Sequence, residues 1–154
     1  MPLYFEDLVV GRVERFGRYE VMREEVIDFA SKYDPQSFHL DDAAAAESIF
    51  GRLAASGWHT AAMAMRMMVD HWKETGLDTT NLGGAGMDEL RWMKPVYPGD
   101  VLSCEIELLE KTVSNSRPDR GFVRNRWTIF NQKDEKVLSM IAIGIVATRP
   151  SQGG

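Results

Sequence analysis

The chain has 154 residues, 44% of them hydrophobic and 27% charged, values of one ordinary globular domain that can bury a core without staples. Its formal net charge of -5 and pI near 5.2 exclude a general binder of nucleic acid or anionic membrane. An anionic small ligand needs only a local basic patch and stays open. The single cysteine, Cys104, excludes an intramolecular disulfide and a cysteine-based zinc site.

In chain order, "MPLYFEDLVVG" lacks the basic start and long apolar run of a signal peptide. No stretch holds 18 consecutive apolar residues, so no membrane span is expected. A reduced, cytoplasmic compartment is the expectation. A short strand is predicted near "GRVERFGRYEV". Val26, Phe29, Ala30 and Tyr33 then fall at i, i+3, i+4, i+7, one apolar face of a short helix with Glu24 and Glu25 in its first turn. Pro35 biases Asp34 away from α geometry and marks the exit. "DDAAAAES" suits one or two helical turns, and "IFGRLAASG" reads as a connection.

The strongest helix is predicted from Trp58 to Lys73. Trp58, Ala61, Ala62, Met65, Met68, Val69 and Trp72 keep helical spacing, and Met63, Ala64 and Met67 add apolar residues on its other sides. Such a helix is expected to be buried over most of its surface and to end at Gly76. The second half reads as strands: "GAGMDELRWMKPV", the turn "YPGD", then "VLSCEIELLE", "FVRNRWTIF" and "KVLSMIAIGIVATR". In the second of these, Leu102, Cys104, Ile106 and Leu108 alternate with polar residues, so Cys104 reads as a buried strand residue rather than a nucleophile. The last is nearly all apolar, as for a central strand covered on both faces. Short turns between strands predict an antiparallel sheet. The fold class is therefore α+β, with about five strands curled around the long helix in one domain over residues 1–150. "SQGG", residues 151–154, reads as a disordered tail.

The loop "YDPQSFHLDD" holds Asp34 and His39 five residues apart. Alone, such a pair reads as a solvated turn or a helix cap. Set beside "SIFGRLAASGWHTAAMAMRMMVD" and "LRWMKPVYPGDVL", it resembles the MaoC-like dehydratases, relatives of the (R)-specific enoyl-CoA hydratases. That resemblance implies the hotdog fold and an Asp–His motif followed by a glycine at the start of the central helix: Asp34, His39 and Gly57. The Asn-Pro pair usual within the motif is replaced by Gln36 and Ser37, and a proline stands earlier, at Pro35.

The implied activity is a hydro-lyase, an acyl dehydratase or enoyl-CoA hydratase of fatty acid metabolism. It interconverts a trans-2-enoyl thioester and a 3-hydroxyacyl thioester. Water must lose a proton as it attacks C3, a proton must reach C2, and the thioester oxygen must be stabilised between. Asp34 and His39 are expected to hold the water together, with no fixed division into acid and base. The Gly57 N–H is the expected oxyanion donor, with Ser56 and Trp58 as neighbours and Gln36 offering an amide. No cofactor is expected beyond the CoA thioester as substrate, and no metal site. The expected partners are acyl-CoA or an acyl-carrier-protein thioester, and a second copy in a homodimer or dimer of dimers.

Other residues have plainer readings. His59 is expected as a hydrogen-bonded core histidine, His71 as structural and favourable to the helix dipole, and the methionines of "MAMRMM" as core. Arg52, Arg66, Arg91, Lys94, Arg117, Arg120, Arg124 and Arg126 are candidates for a CoA anion, each more ordinary as a solvated charge. Two alternatives stay open: a thioesterase on the same fold, and a non-catalytic acyl-thioester-binding protein.

Overall fold

The structure is a computed structural model and describes residues 1–151. Most of the expected tail therefore lies outside the described residues. Five strands form one antiparallel sheet: β1 (Val13–Glu20), β2 (Asn81–Trp92), β3 (Val101–Val113), β4 (Arg120–Phe130) and β5 (Lys136–Ala147), in the order β1-β3-β4-β5-β2. Three α-helices precede β2: α1 (Arg23–Tyr33), α2 (Asp42–Ala46) and α3 (Gly57–Thr75).

The sheet curls on α3. Cys104, Ile129 and Leu138 sit abreast on β3, β4 and β5, as do Ile106, Trp127 and Met140. These rows face Met63, Ala64, Met67 and Met68 of the helix in one core. Leu102 and Ile129 are fully buried, each contributing roughly 1.5–3 kcal/mol over an exposed side chain. Cys104 is buried and its thiol is pushed up to about 12 by that burial, so it is the inert strand residue expected. The helix ends at Gly76, which adopts φ 87° and donates its N–H to the Trp72 carbonyl at 2.9 Å. This is the hotdog arrangement.

Three expectations change. The turn "YPGD" does not close a hairpin, because β2 pairs with β5 on the far side of the sheet and not with β3. The chain between them crosses over, anchored by Met93 N–H to the Val137 carbonyl and Ala55 N–H to the Val96 carbonyl. Secondly, α3 is not covered all round: Trp58 is 57% exposed and Met65 38%. Its buried stripe is His59, Thr60, Met63, Ala64, Met67 and Met68, which leaves one flank open. Thirdly, Tyr33 is 72% exposed although it shares the α1 face of buried Val26 and Ala30. It lies in the last turn, beyond the reach of the core.

Candidate active site

The site begins where α1 stops. Asp34 is the C-terminal cap of α1, with φ −150° and ψ 67°, and Pro35 prevents the helix from continuing through it. The Gln36 N–H turns back to the Asp34 carbonyl at 2.8 Å and the His39 N–H to the Gln36 carbonyl at 2.9 Å. Ser37–His39 forms one 3-10 turn. Two tight turns in succession bring Asp34 and His39 together.

Beneath this loop runs the buried segment Leu53–Ser56, which leads into α3. His39, itself buried, places Nδ1 2.6 Å from the Ala54 carbonyl oxygen. A carbonyl only accepts, so Nδ1 carries the hydrogen and Nε2 of the neutral ring is a bare acceptor. That Nε2 stands 3.5 Å from Oδ2 of Asp34. Two acceptors at this separation make no direct hydrogen bond. A donor placed between them satisfies both.

Asp34 is fixed by two donors. The Ser56 hydroxyl donates to Oδ2 and the Gln36 amide to Oδ1, each at 2.6 Å. Burial works to raise the carboxyl's pKa, but the Ser56 and Gln36 hydrogen bonds pull it down, and the net shift is below the ordinary carboxylate value. Asp34 is therefore held ionised at neutral pH.

The same Ser56 caps α3. Its hydroxyl oxygen accepts the Trp58 N–H at 3.3 Å while its hydrogen goes to Asp34. One side chain thus ties the acidic loop to the helix N-terminus. The Trp58 N–H is used by the cap, whereas the Gly57 N–H meets no acceptor among the described residues. Of the three neighbouring candidates, Ser56 and Gly57 both keep a backbone N–H with no acceptor among the described residues, and that of Gly57 is the first of the helix.

Gly57 has a packing reason for lacking a side chain. A Cβ there would lie 2.4 Å from the Trp92 ring, and the Trp92 indole N–H donates to the Gly57 carbonyl at 2.8 Å. Trp58 meets Trp92 edge to face, with ring centroids 5.1 Å apart.

Several groups were not legible beforehand. Ala54 acts through its backbone carbonyl, which has no side-chain signature. Ser56 before a helix is a cap signal, but its bond to Asp34 spans 22 residues. His59 does not join the Asp34–His39 pair. Its Nε2 lies 3.3 Å from Oε1 of Glu25, its ring stacks on Phe29 at 4.7 Å and 9°, and the Tyr19 hydroxyl donates to the same Glu25 oxygen. Its Nδ1 is buried with no hydrogen-bond partner among the described residues, so the expected core histidine is only half satisfied. Burial lowers its pKa, against the pull of Glu25. His71 bonds Glu14 at 2.9 Å and stacks on Phe16, a structural role as expected.

A cavity of about 560 Å³ lies under the later turns of α3, lined by Met65, Trp72, Leu108, Trp127, Ile143 and Gly144 among others. It shares no lining residue with the Asp34–His39 pair. Among the described residues no group of three or more His, Cys, Asp or Glu side chains gathers as metal ligands would. No helix is long and apolar enough to cross a membrane.

A family model, MaoC like domain, matches residues 8–126. The solved MaoC-like dehydratase from Rhodospirillum rubrum is 44% identical, with a TM-score of 0.86, over 96% of this chain and 99% of that one. The R-hydratase PhaJ1 from Pseudomonas aeruginosa is 26% identical, with a TM-score of 0.69, over 97% of this chain and 88% of that one. The uncharacterized protein YdeM of Bacillus subtilis (strain 168) is 29% identical over 133 residues, 86% of this chain and 90% of its own length.

Proposed function

Because the chain belongs to the MaoC-like domain family, we propose that it is a hydratase/dehydratase of acyl thioesters, interconverting a trans-2-enoyl and a 3-hydroxyacyl thioester, with CoA as the carrier. The observation that carries this reading is the Asp34–His39 pair. Two fixed acceptors stand 3.5 Å apart at the foot of a helix whose first N–H, that of Gly57, is free.

In this reading a water donates one hydrogen to Oδ2 of Asp34 and the other to Nε2 of His39. Its lone pair is then free to attack C3 of the enoyl group. Asp34, held ionised by Ser56 and Gln36, stays a carboxylate and orients the water. His39 Nε2 takes the proton released as the oxygen bonds C3, and the imidazolium returns it to C2 on the same face. The hydroxyl remains on C3, so one water is added and no group leaves. The negative charge on the thioester oxygen between the two steps falls on the Gly57 N–H, a contact worth roughly 2.7–4 kcal/mol by analogy with other oxyanion donors. Dehydration runs the same path backwards.

A second copy completes the assembly. The β1 edge is charged, with Glu14, Arg15, Arg18 and Glu20, and such an edge resists pairing. The β2 edge carries no charge from Leu82 to Met87, and those two residues are 48% and 49% exposed. Antiparallel pairing of β2 with its counterpart in a homodimer would join the two sheets and cover these side chains.

The test is turnover of crotonyl-CoA against butyryl-CoA. Loss of the conjugated-thioester absorbance with no thiol released supports hydration. Release of free CoA from the saturated thioester replaces it with a thioesterase, and binding with no turnover of either replaces it with a non-catalytic acyl binder.

A further inference from the structure

We propose that Arg52 reads the phosphate at the end of the substrate's pantetheine arm, an inference that rests on the thioester chemistry proposed above. In a chain with 23 Asp and Glu against 18 Lys and Arg, most guanidinium groups find a carboxylate. Among the candidate cations, Arg66, Lys94, Arg117, Arg120 and Arg124 all end on Asp or Glu. Three do not. Arg126 lies within β4, directly opposite Glu107 on β3. Arg91 precedes Trp92 on β2, and successive strand residues point to opposite faces, so it turns away from Gly57. Arg52 remains, exposed and without a carboxylate among the described residues.

Arg52 is held in place by a platform rather than by a counter-ion. Its guanidinium lies 3.9 Å over the Tyr97 ring, which leaves the edge of the fork free to donate. The Tyr97 hydroxyl donates to the Phe50 carbonyl at 2.6 Å. The Tyr97 backbone N–H is held at 2.9 Å by the buried carboxylate of Asp100. The Ala55 N–H reaches the Val96 carbonyl at 2.8 Å, so the segments on either side of the stack are bonded to each other.

This platform borders the site. Phe50 packs against Phe38 at 5.1 Å and against the His39 ring at 5.8 Å. Two residues beyond Arg52, the Ala54 carbonyl holds His39. Ile49, beside Phe50, is almost wholly exposed. An apolar step and a preorganised guanidinium next to the catalytic histidine match a flexible arm whose gem-dimethyl carbon lies beside its terminal phosphate. That phosphate is common to CoA and to the prosthetic group of an acyl-carrier protein.

The experiment measures equilibrium binding of pantetheine, 4′-phosphopantetheine and CoA by calorimetry, with no turnover involved. Wild type is expected to bind the two phosphorylated ligands at least tenfold more tightly than pantetheine. Arg52→Ala is expected to remove most of that margin, while Arg117→Ala, paired with Asp119, keeps it. A margin that appears with 4′-phosphopantetheine points to the arm phosphate. One that appears only with CoA overturns the assignment to the arm phosphate, whether or not Arg52→Ala removes it. An equal margin in wild type and Arg52→Ala overturns the proposal, as does the absence of any margin in wild type. Either failure leaves the hydration reaction to its own assay.

Discussion

Ser56 links the carboxylate to the helix, because its hydrogen lies on Asp34 and its oxygen on the Trp58 N–H. Ser56→Ala should cost about 1 kcal/mol as a lost cap and should also raise the Asp34 pKa by removing a donor. Asp34 is depressed in the folded state, so its contribution to stability is full above the ordinary carboxylate value near 3.9 and is lost as pH falls further. In Ser56→Ala the stability that wild type gains as pH rises through the acidic carboxylate range should shrink in thermal melts; an unchanged pH dependence with only a uniform drop in melting temperature would reduce Ser56 to a cap. Gly57→Ala drives a methyl into Trp92, with an expected cost of roughly 1–3 kcal/mol. If that clash is the reason for the glycine, Trp92→Ala should recover part of the loss in a double-mutant cycle. Additive losses would place the requirement elsewhere. At this scale the sequence made Asp34, His39 and Gly57 legible through spacing and resemblance. It hid Ala54, whose role lies in a backbone oxygen, and Trp92, which reaches Gly57 across 35 residues.

α1 delivers Asp34 at its end, and its hold on α3 includes the Glu25–His59 contact and the Phe29 stack. Burial depresses the His59 pKa. The unfolded chain therefore binds this proton more readily, and the contribution to stability is full above the unfolded value near 6.5 and lost as pH falls below it. Thermal melts should show wild type losing more stability from pH 7 to pH 5 than His59→Phe, which keeps the stacking and removes the proton site. Equal losses would take His59 out of the pH response. The elements themselves were legible where periodicity is strong. The run from Trp58 appears as α3, bounded by the Ser56 cap and Gly76, and the alternation in β3 appears as a buried face. The partner of β2 was not legible, because a turn signal such as "YPGD" marks a reversal and says nothing of which strand comes alongside.

The open flank of α3 and the uncharged β2 edge belong together at the scale of the whole molecule. Their apolar residues are more than an isolated protomer needs, and the sequence showed them as apolar without showing that the protomer leaves them bare. Sedimentation should give a dimer for wild type and a shift toward monomer for the Leu82→Glu, Met87→Lys double variant. A variant that remains dimeric would move the interface off β2. The proposed reaction rests on Asp34 and His39 together activating one water for an enoyl thioester. The most direct test is the crotonyl-CoA hydration rate of wild type, Asp34→Asn and His39→Ala across pH, each variant checked for its fold. Each substitution should lower kcat by at least about 100-fold, the lower end of the effect of a positioned acid or base, with the double variant no worse than the poorer single. Turnover within a few-fold of wild type in either folded variant would contradict the account.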